Sequence, residues 1–284
     1  MESIANNLPN NASLEYLHIE SCAELKSLPV GLHKLCHLNK IEIWSCPSFV
    51  SFPDGGLFPT SLRELSIHGC EKLEAWPNCM PNLNSLHIVN CPSVIYFPEE
   101  GYPTSLTSLS FGGENIYWQS FPDEQDGKLT MTLPSSLTQL SIWSIPNIVI
   151  LSSLGFQNLS ALEQLYIRYC PKLASLPEKG LPPSLLQLYI NECPLLKQHC
   201  KKGGREWSKI ANVPCVEIDR GLSMSWRRSS NKKIVKQRAI FTHNSYSFLP
   251  VLQQRLASEL LNVLLEFQNM EVISKCAENG RMPF

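Results

Sequence analysis

The chain has 284 residues, 43% of them hydrophobic and 17% charged, with a formal net charge of −1. That apolar content suits a folded chain rather than a disordered one, and no run reaches the roughly 18 apolar residues of a membrane span. The near-zero total hides a split: residues 1–219 carry 14 Lys+Arg against 21 Asp+Glu and residues 220–284 carry 10 against 4, so the larger, acidic part is a poor match for nucleic acid.

Residues 1–13 are polar, without the basic start and apolar run of a secretory signal. From Leu14 one phrase recurs to about residue 196. Its fullest copy is Leu162–Pro177, LEQLYIRYCPKLASLP. Eight copies align on L-x-x-L-x-I: Leu14/Leu17/Ile19, Leu38/Ile41/Ile43, Leu62/Leu65/Ile67, Leu83/Leu86/Ile88, Leu106/Leu109/Phe111, Leu137/Leu140/Ile142, Leu162/Leu165/Ile167 and Leu185/Leu188/Ile190. Successive copies start 24, 24, 21, 23, 31, 25 and 23 residues apart. All but the 31 lie in the leucine-rich-repeat range of roughly 20–29 residues. The expected fold is therefore an α/β repeat solenoid, a horseshoe with one parallel β-sheet on its concave side. Stacking is what buries each repeat's apolar strand face, because no single repeat can do so alone.

The second half of each repeat adds Leu25 and Leu28, Phe49 and Phe52, Leu73 and Trp76, Val94 and Phe97, or Leu173 and Leu176, and closes on Pro29, Pro53, Pro77, Pro98 or Pro177. Short, proline-ended halves predict an irregular or 3₁₀ convex side. Pro59-Thr-Ser-Leu62, Pro103-Thr-Ser-Leu106, Pro134-Ser-Ser-Leu137 and Pro183-Ser-Leu185 read as turns closed by local hydroxyl hydrogen bonds.

Eleven cysteines raise disulfide and zinc readings. Six of them (Cys22, Cys46, Cys70, Cys91, Cys170, Cys193) share one repeat position. No C-x-x-C pair starts a zinc site. A ladder of small buried thiols fits better. Asn11-Ala-Ser13 and Asn158-Leu-Ser160 are read as chance sequons, since no secretory signal accompanies them.

The 31-residue step holds Tyr117, Trp118 and Phe121 beside Asp123, Glu124 and Asp126. The expectation is a longer convex loop with its aromatics folded back; an adaptable contact loop is the alternative. Repeat six replaces the ladder cysteine with Ile145-Pro146. The repeats are expected over 1–196 and their C-terminal cap over 197–219, with Trp207 covering the last repeat and Val213, Val216 and Ile218 forming a closing strand. Lys201-Lys202-Gly203-Gly204 lacks the phosphate-loop pattern and reads as a turn. Residues 220–248 form a basic linker, expected to be disordered, with nuclear import or an anionic surface as its alternative roles. Residues 249–284 are expected to hold one amphipathic helix, striped by Leu252, Leu256, Leu260, Val263, Leu264 and Phe267.

The phrases L-x-x-L-x-I-x-x-C-P-x-L-x-x-L-P and G-L-P-x-S-L-x-x-L-x-I (Gly180–Ile190) resemble the C-terminal repeats of plant coiled-coil, nucleotide-binding, leucine-rich-repeat disease resistance proteins. So does Cys193–Asp219, with its G-G-R-E-W-x-K-I-A-N-V-P-x-V-E-I-D. The resemblance covers roughly residues 1–219. It implies an intracellular sensor, cytoplasmic or nuclear, whose repeats recognise a pathogen effector or modified host protein and restrain a nucleotide-binding switch. That switch and the coiled coil are not in this chain, so nucleotide binding is not carried over. Met1 stands almost directly before the first repeat, which reads as the C-terminal piece of something longer. The alternative is a truncated fragment or free-standing repeat scaffold without signalling activity.

Alternation along each strand places a second set of residues on the concave face. Those taken as a protein-binding surface are Tyr16 and His18; Lys40, Glu42 and Trp44; Glu64 and His68; and His87. The later repeats add Gln139 and Trp143; Gln164, Tyr166 and Arg168; and Tyr189 and Asn191. Trp, Tyr and Arg dominate interface energetics. Catalysis is not expected: His18, His68 and His87 lack a converging third ligand or any hydrolase motif. No cofactor, metal or nucleic acid partner is expected, and the partner is read as a protein.

Overall fold

The computed structural model describes residues 13–28, 31–52, 58–74, 80–93, 103–122, 124–125, 128–129, 132–219 and 222–225. The chain divides into two units, Met1–Trp226 and Arg227–Phe284, and every described residue belongs to the first. The expected helix over 249–284 lies outside the described residues, as does 220–248 apart from Leu222–Ser225.

Each repeat opens with a five-residue strand: β1 (Tyr16–Glu20), β2 (Lys40–Trp44), β3 (Glu64–His68), β4 (Ser85–Val89) and β5 (Ser108–Gly112). The insertion follows with β6 (Ser120–Phe121), β7 (Glu124–Gln125) and β8 (Lys128–Leu129), then β9 (Gln139–Trp143), β10 (Ile150–Leu151), β11 (Gln164–Arg168) and β12 (Gln187–Asn191). β13 (Cys215–Ile218) and β14 (Leu222–Ser225) complete the chain order. The main sheet runs β1-β2-β3-β4-β5-β9-β11-β12-β13-β14. Its strands are parallel through β13, and β14 returns antiparallel. The closing strand holds Val216 and Ile218 but not Val213, which precedes it, and the sheet carries on past residue 219.

Register follows the repeat without slippage: Leu17, Ile41, Leu65, Leu86, Leu109, Leu140, Leu165, Leu188 and Val216 form one line, and Ile19 to Ile218 the next. From β2 to β12 every residue in these two lines is at most 1% exposed, because a one-residue slip would turn the whole set to solvent.

In the main sheet each parallel strand is followed by a residue at positive φ: Ser21, Ser45, Gly69, Asn90, Gly113, Ser144, Tyr169, Glu192 and Asp219. Its N–H bonds the last carbonyl of the next strand, from Ser21 to Trp44 at 2.9 Å through Tyr169 to Asn191 at 3.0 Å. The kink turns the following cysteine inward. For residues other than Gly this conformation costs about 1–2 kcal/mol, offset by the inter-repeat hydrogen bond and the buried residue after it. The ladder cysteines are buried with free thiols, and they do more than fill space. Those of Cys46, Cys91, Cys170 and Cys193 each reach the carbonyl two residues back at 3.3 Å. Repeat five has one residue fewer here. Gly113 takes the kink position, and a Cβ at Gly112 would lie 1.8 Å from the Trp143 carbonyl oxygen.

The proline turns differ from expectation. Ser61, Ser105, Ser136 and Ser184 do not close their own turns; their hydroxyls donate to Leu38, Leu83, Leu106 and Leu162 of the preceding repeat at 2.7, 2.8, 2.6 and 2.8 Å. The turns close through backbone bonds, Leu62 N–H to Pro59 and Leu185 N–H to Pro182, both at 3.0 Å. The last turn thus starts at Pro182, one residue before the Pro183 read from sequence.

The convex side holds a 3₁₀ turn (Leu32–Lys34), a one-turn helix α1 (Ser153–Phe156) and a narrow second set of parallel contacts. That set pairs β6 with β10, Ser27 with Ser51 and Ile150 with Ser175. Leu28, Phe49, Leu73, Leu173 and Leu176 fill the core behind it. Trp76, Val94 and Phe97 and the terminal prolines other than Pro177 lie outside the described residues.

In the insertion, Trp118 stacks on Phe111 at 5.0 Å and 9°, Phe121 is fully buried, and Tyr117 stays 77% exposed. Two of the three aromatics fold back and one does not. β7 and β8 form a short antiparallel hairpin beyond them.

Candidate functional site

Because the strands are in register, the concave face consists of three columns. The first runs Tyr16, Lys40, Glu64, Ser85, Ser108, Gln139, Gln164 and Gln187. The second runs His18, Glu42, Ser66, His87, Ser110, Ser141, Tyr166 and Tyr189. The third runs Glu20, Trp44, His68, Val89, Gly112, Trp143, Arg168 and Asn191. Neighbours in a column sit one strand spacing apart, about 4.8 Å, so side-chain chemistry along a column is continuous.

Glu42 is the hub of β1 to β3. Its carboxylate accepts Tyr16 Oη at 2.5 Å, Lys40 Nζ at 2.9 Å and His18 Nδ1 at 3.2 Å. His18 Nε2 meets Glu20 at 3.3 Å, and Lys40 Nζ reaches Glu64 at 3.5 Å. Burial pushes the Glu42 carboxyl up, but the hydrogen bonds from His18, Tyr16 and Lys40 outweigh it and hold it at about 2. Burial pulls His18 down, and its two carboxylate partners more than reverse that, so its pKa ends above the ordinary value. Burial alone sets His68 below the ordinary value, and it dominates the lowering of His87, whose Nε2 lies 2.9 Å from Ser85 Oγ. Trp44 stands between His18 and His68, edge-on to the first at 5.1 Å and tilted to the second at 6.2 Å.

β4 and β5 supply a low floor, with Ser85, Ser108, Ser110, Val89 and Gly112. Beyond it the chemistry changes. Tyr166 and Tyr189 stack at 4.6 Å and 3°. Each phenol donates to the glutamine two residues earlier on its own strand, Tyr166 to Gln164 at 3.2 Å and Tyr189 to Gln187 at 3.4 Å. The Arg168 guanidinium lies 5.5 Å from the centre of the Tyr166 ring.

The structure brings all fifteen sequence-predicted residues onto one sheet face, but not as equals. Glu42 is 9% and Tyr166 7% exposed; they are covered by neighbours and order the surface rather than present area. Tyr16, at 39% exposed, is the most open aromatic of the columns. Among the described residues no group of three His, Cys, Asp or Glu side chains could hold a metal ion, and no helix is long and apolar enough to cross a membrane.

Sequence reasoning missed Glu206. It heads α3 (Trp207–Ile210), while α2 (Pro194–His199) packs just before it. Glu206 is 4% exposed, accepts the Leu176 N–H at 2.9 Å and binds Lys209 Nζ at 2.8 Å. Lys209 also donates to the Leu176 carbonyl at 3.1 Å, and His199 Nδ1 and Arg205 Nη2 reach the Ala174 carbonyl at 2.7 and 3.1 Å. These side chains occupy the open edge of the convex ribbon where another strand would pair. Trp207, expected to cover the last repeat, is half-buried beside this clasp. Lys201–Gly204 forms the expected turn, in which a Cβ at Gly204 would lie 2.3 Å from the His199 carbonyl oxygen.

Repeat period, parallel register and inward leucine ladder define a leucine-rich-repeat solenoid. No family model matches the chain. By sequence it is related to plant proteins named for disease resistance. An Arabidopsis thaliana protein so named, At3g14460, is 31% identical over 266 residues, covering 73% of this chain and 18% of the relative. Arabidopsis disease resistance protein RPS4 is 34% identical over 67 residues, covering 24% and 5%. A 45-residue stretch is 58% identical to the Arabidopsis protein Variation in Compound Triggered Root growth response, covering 16% and 4%. The chain thus spans less than a fifth of each of these relatives. Among solved structures, the leucine-rich-repeat domain of the type III effector XopL superposes with a TM-score of 0.47 at 20% identity, covering 73% of this chain and 77% of that one.

Proposed function

We propose that this chain is the recognition region of a plant intracellular immune receptor. Its concave face would bind a pathogen effector or a modified host protein and, in the absence of that ligand, restrain a nucleotide-binding switch. One observation carries the reading: an in-register sheet holds Trp, Tyr and Arg side chains on one face, the residue types that dominate protein interfaces. The kinship with disease resistance proteins supplies the biological setting. In this reading the histidines order the surface: His68 and His87 stand in different columns, and His18 is bonded to Glu20 and Glu42.

The test is to display the chain on yeast and sort it against libraries of pathogen-secreted and host proteins. A recovered partner should lose about 30-fold in affinity on Trp143→Ala, a central-residue loss of about 2 kcal/mol, with the β-sheet circular dichroism unchanged. Partners that bind Trp44→Ala, Trp143→Ala and Arg168→Ala variants as tightly as the parent would move recognition off the concave face and sink the reading.

A further inference from the structure

On the concave face, Lys40 has two carboxylate partners, and at its rim Lys197 is paired with Asp219. Arg168 is different. Among the described residues it has no carboxylate partner; its side-chain contact is the Tyr166 ring. That ring is fixed from the other side by Tyr189. The two phenols donate to the amide oxygens of Gln164 and Gln187 at the opposite end of the strands, which orders both rings. Trp143 pairs with Arg168 on one side and Asn191 on the other, and the Asn191 amide donates to the Asp219 carboxylate at 3.4 Å. Repeats six to eight therefore present one positive charge, without a carboxylate partner among the described residues, over an aromatic floor, while Glu217 pairs with Tyr189 on the next strand and Asp219 is bonded to Asn191. Repeats one to three present Glu20, Glu42 and Glu64.

We infer that the Arg168 platform is a docking site for an acidic side chain, the Asp or Glu of an extended segment in a protein partner, with an adjoining apolar or aromatic residue resting against Trp143. The inference rests on the concave face being the recognition surface, and it adds which end of that surface takes negative charge. Two features favour a carboxylate. The guanidinium fork matches its two oxygens. The tyrosine stack holds the fork in place, so little side-chain entropy is lost on binding.

The experiment uses the full chain labelled for side-chain NMR and three twelve-residue Gly/Ser peptides capped at both ends, carrying Glu-Trp-Glu, Gln-Trp-Gln or Lys-Trp-Lys at the centre. The Glu peptide should shift the Arg168 Nε–H and Trp143 indole resonances and bind about fivefold more tightly than the Gln peptide, the size of a partly exposed ion pair, with the preference shrinking as salt is added. Arg168→Gln should erase the preference, and Arg168→Lys should keep part of it; unchanged β12 amide shifts in both variants show that the fold is intact.

Equal binding of the Glu and Gln peptides, or a preference that survives Arg168→Gln, overturns the inference while protein recognition keeps its own independent test. An uncapped Gln peptide that binds as the Glu peptide does overturns the side-chain assignment in favour of a chain terminus. Shifts by all three peptides confined to convex residues overturn this inference and count against the concave face as well.

Discussion

In β1 to β3 the column positions are joined by charge: Glu42 gathers a tyrosine, a histidine and a lysine, and two further carboxylates complete the chain of contacts. In β9 to β12 the same column positions are joined by rings and amides, with a tyrosine stack, two Gln–Tyr hydrogen bonds and an arginine above them. Backbone and register are the same in both halves. The difference lies wholly in outward positions that the core leaves free. A solenoid can therefore change the chemistry of its binding face every few repeats without altering its fold, because each repeat's stability depends on its own core and its neighbours'. The charged half responds to pH and salt. The tyrosine stack and the Gln–Tyr bonds of the aromatic half are uncharged, and the convex clasp of Glu206 lies toward the C-terminal end of the array.

The largest expected effect lies at that clasp. Glu206→Ala leaves the Leu176 N–H without its acceptor and Lys209 without its carboxylate, both at the capped end. Breaking such a buried pair costs about 2–3 kcal/mol after allowing for the partly exposed lysine. Hydrogen exchange should then speed up at Leu176 and through β12 and β13 while β2 and β3 keep their protection. An equal loss in both halves would show that the solenoid unfolds as a single unit and would remove the independence on which the contrast depends. In the other half, Glu42→Gln keeps the shape but gives up the charge under three donors. It should cost about 1–2 kcal/mol, seen in urea denaturation and confined to β1 to β3 by exchange. In the aromatic half, Tyr189→Leu removes the stack but keeps an apolar side chain. The expected cost is about 1 kcal/mol, insensitive to salt, whereas the loss in Glu42→Gln should shrink when salt is raised.

The contrast between the halves was only half legible in the sequence. Core positions could be read because their spacing repeats eight times, and a slip of one residue would expose every leucine; the outward columns followed by alternation. The ranking within those columns could not be read. Glu42 and Tyr166 are covered by side chains from neighbouring strands, and burial on an open sheet face depends on what stands 24 or 23 residues away. Even so, the phrase QLYI occurs in both repeats seven and eight and places Gln and Tyr on one face two residues apart, which signals the Gln–Tyr bonds. Glu206 had no such signal, because a lone glutamate in a polar loop looks solvated until Leu176, 30 residues earlier, is brought beside it. The serine hydroxyls misled for a related reason: Pro-Thr-Ser reads as a local turn, whereas stacking supplies a carbonyl from the preceding repeat.

The smallest effect separates the halves most cleanly. His18 is held above the ordinary histidine value by its carboxylates, and His68 and His87 are held below it, chiefly by burial. The folded state therefore binds the His18 proton more tightly than the unfolded chain does. That stabilisation is complete below the unfolded value of about 6.5 and is lost as pH rises through the folded value. For His68 and His87 the unfolded chain binds the proton more tightly, so stability is lost as pH falls from about 6.5 through their folded values. The two trends meet, and stability of β1 to β4 should peak near pH 6.5. His18→Gln should flatten the alkaline side of that curve and His87→Gln its acid side. The exchange rates of β11 and β12, which carry no histidine in their columns, should follow neither change. An NMR titration in which all three histidines share one midpoint would show that the Glu42 hub does not hold its partners in solution, and the distinction between a charge-built and a ring-built half would fall with it.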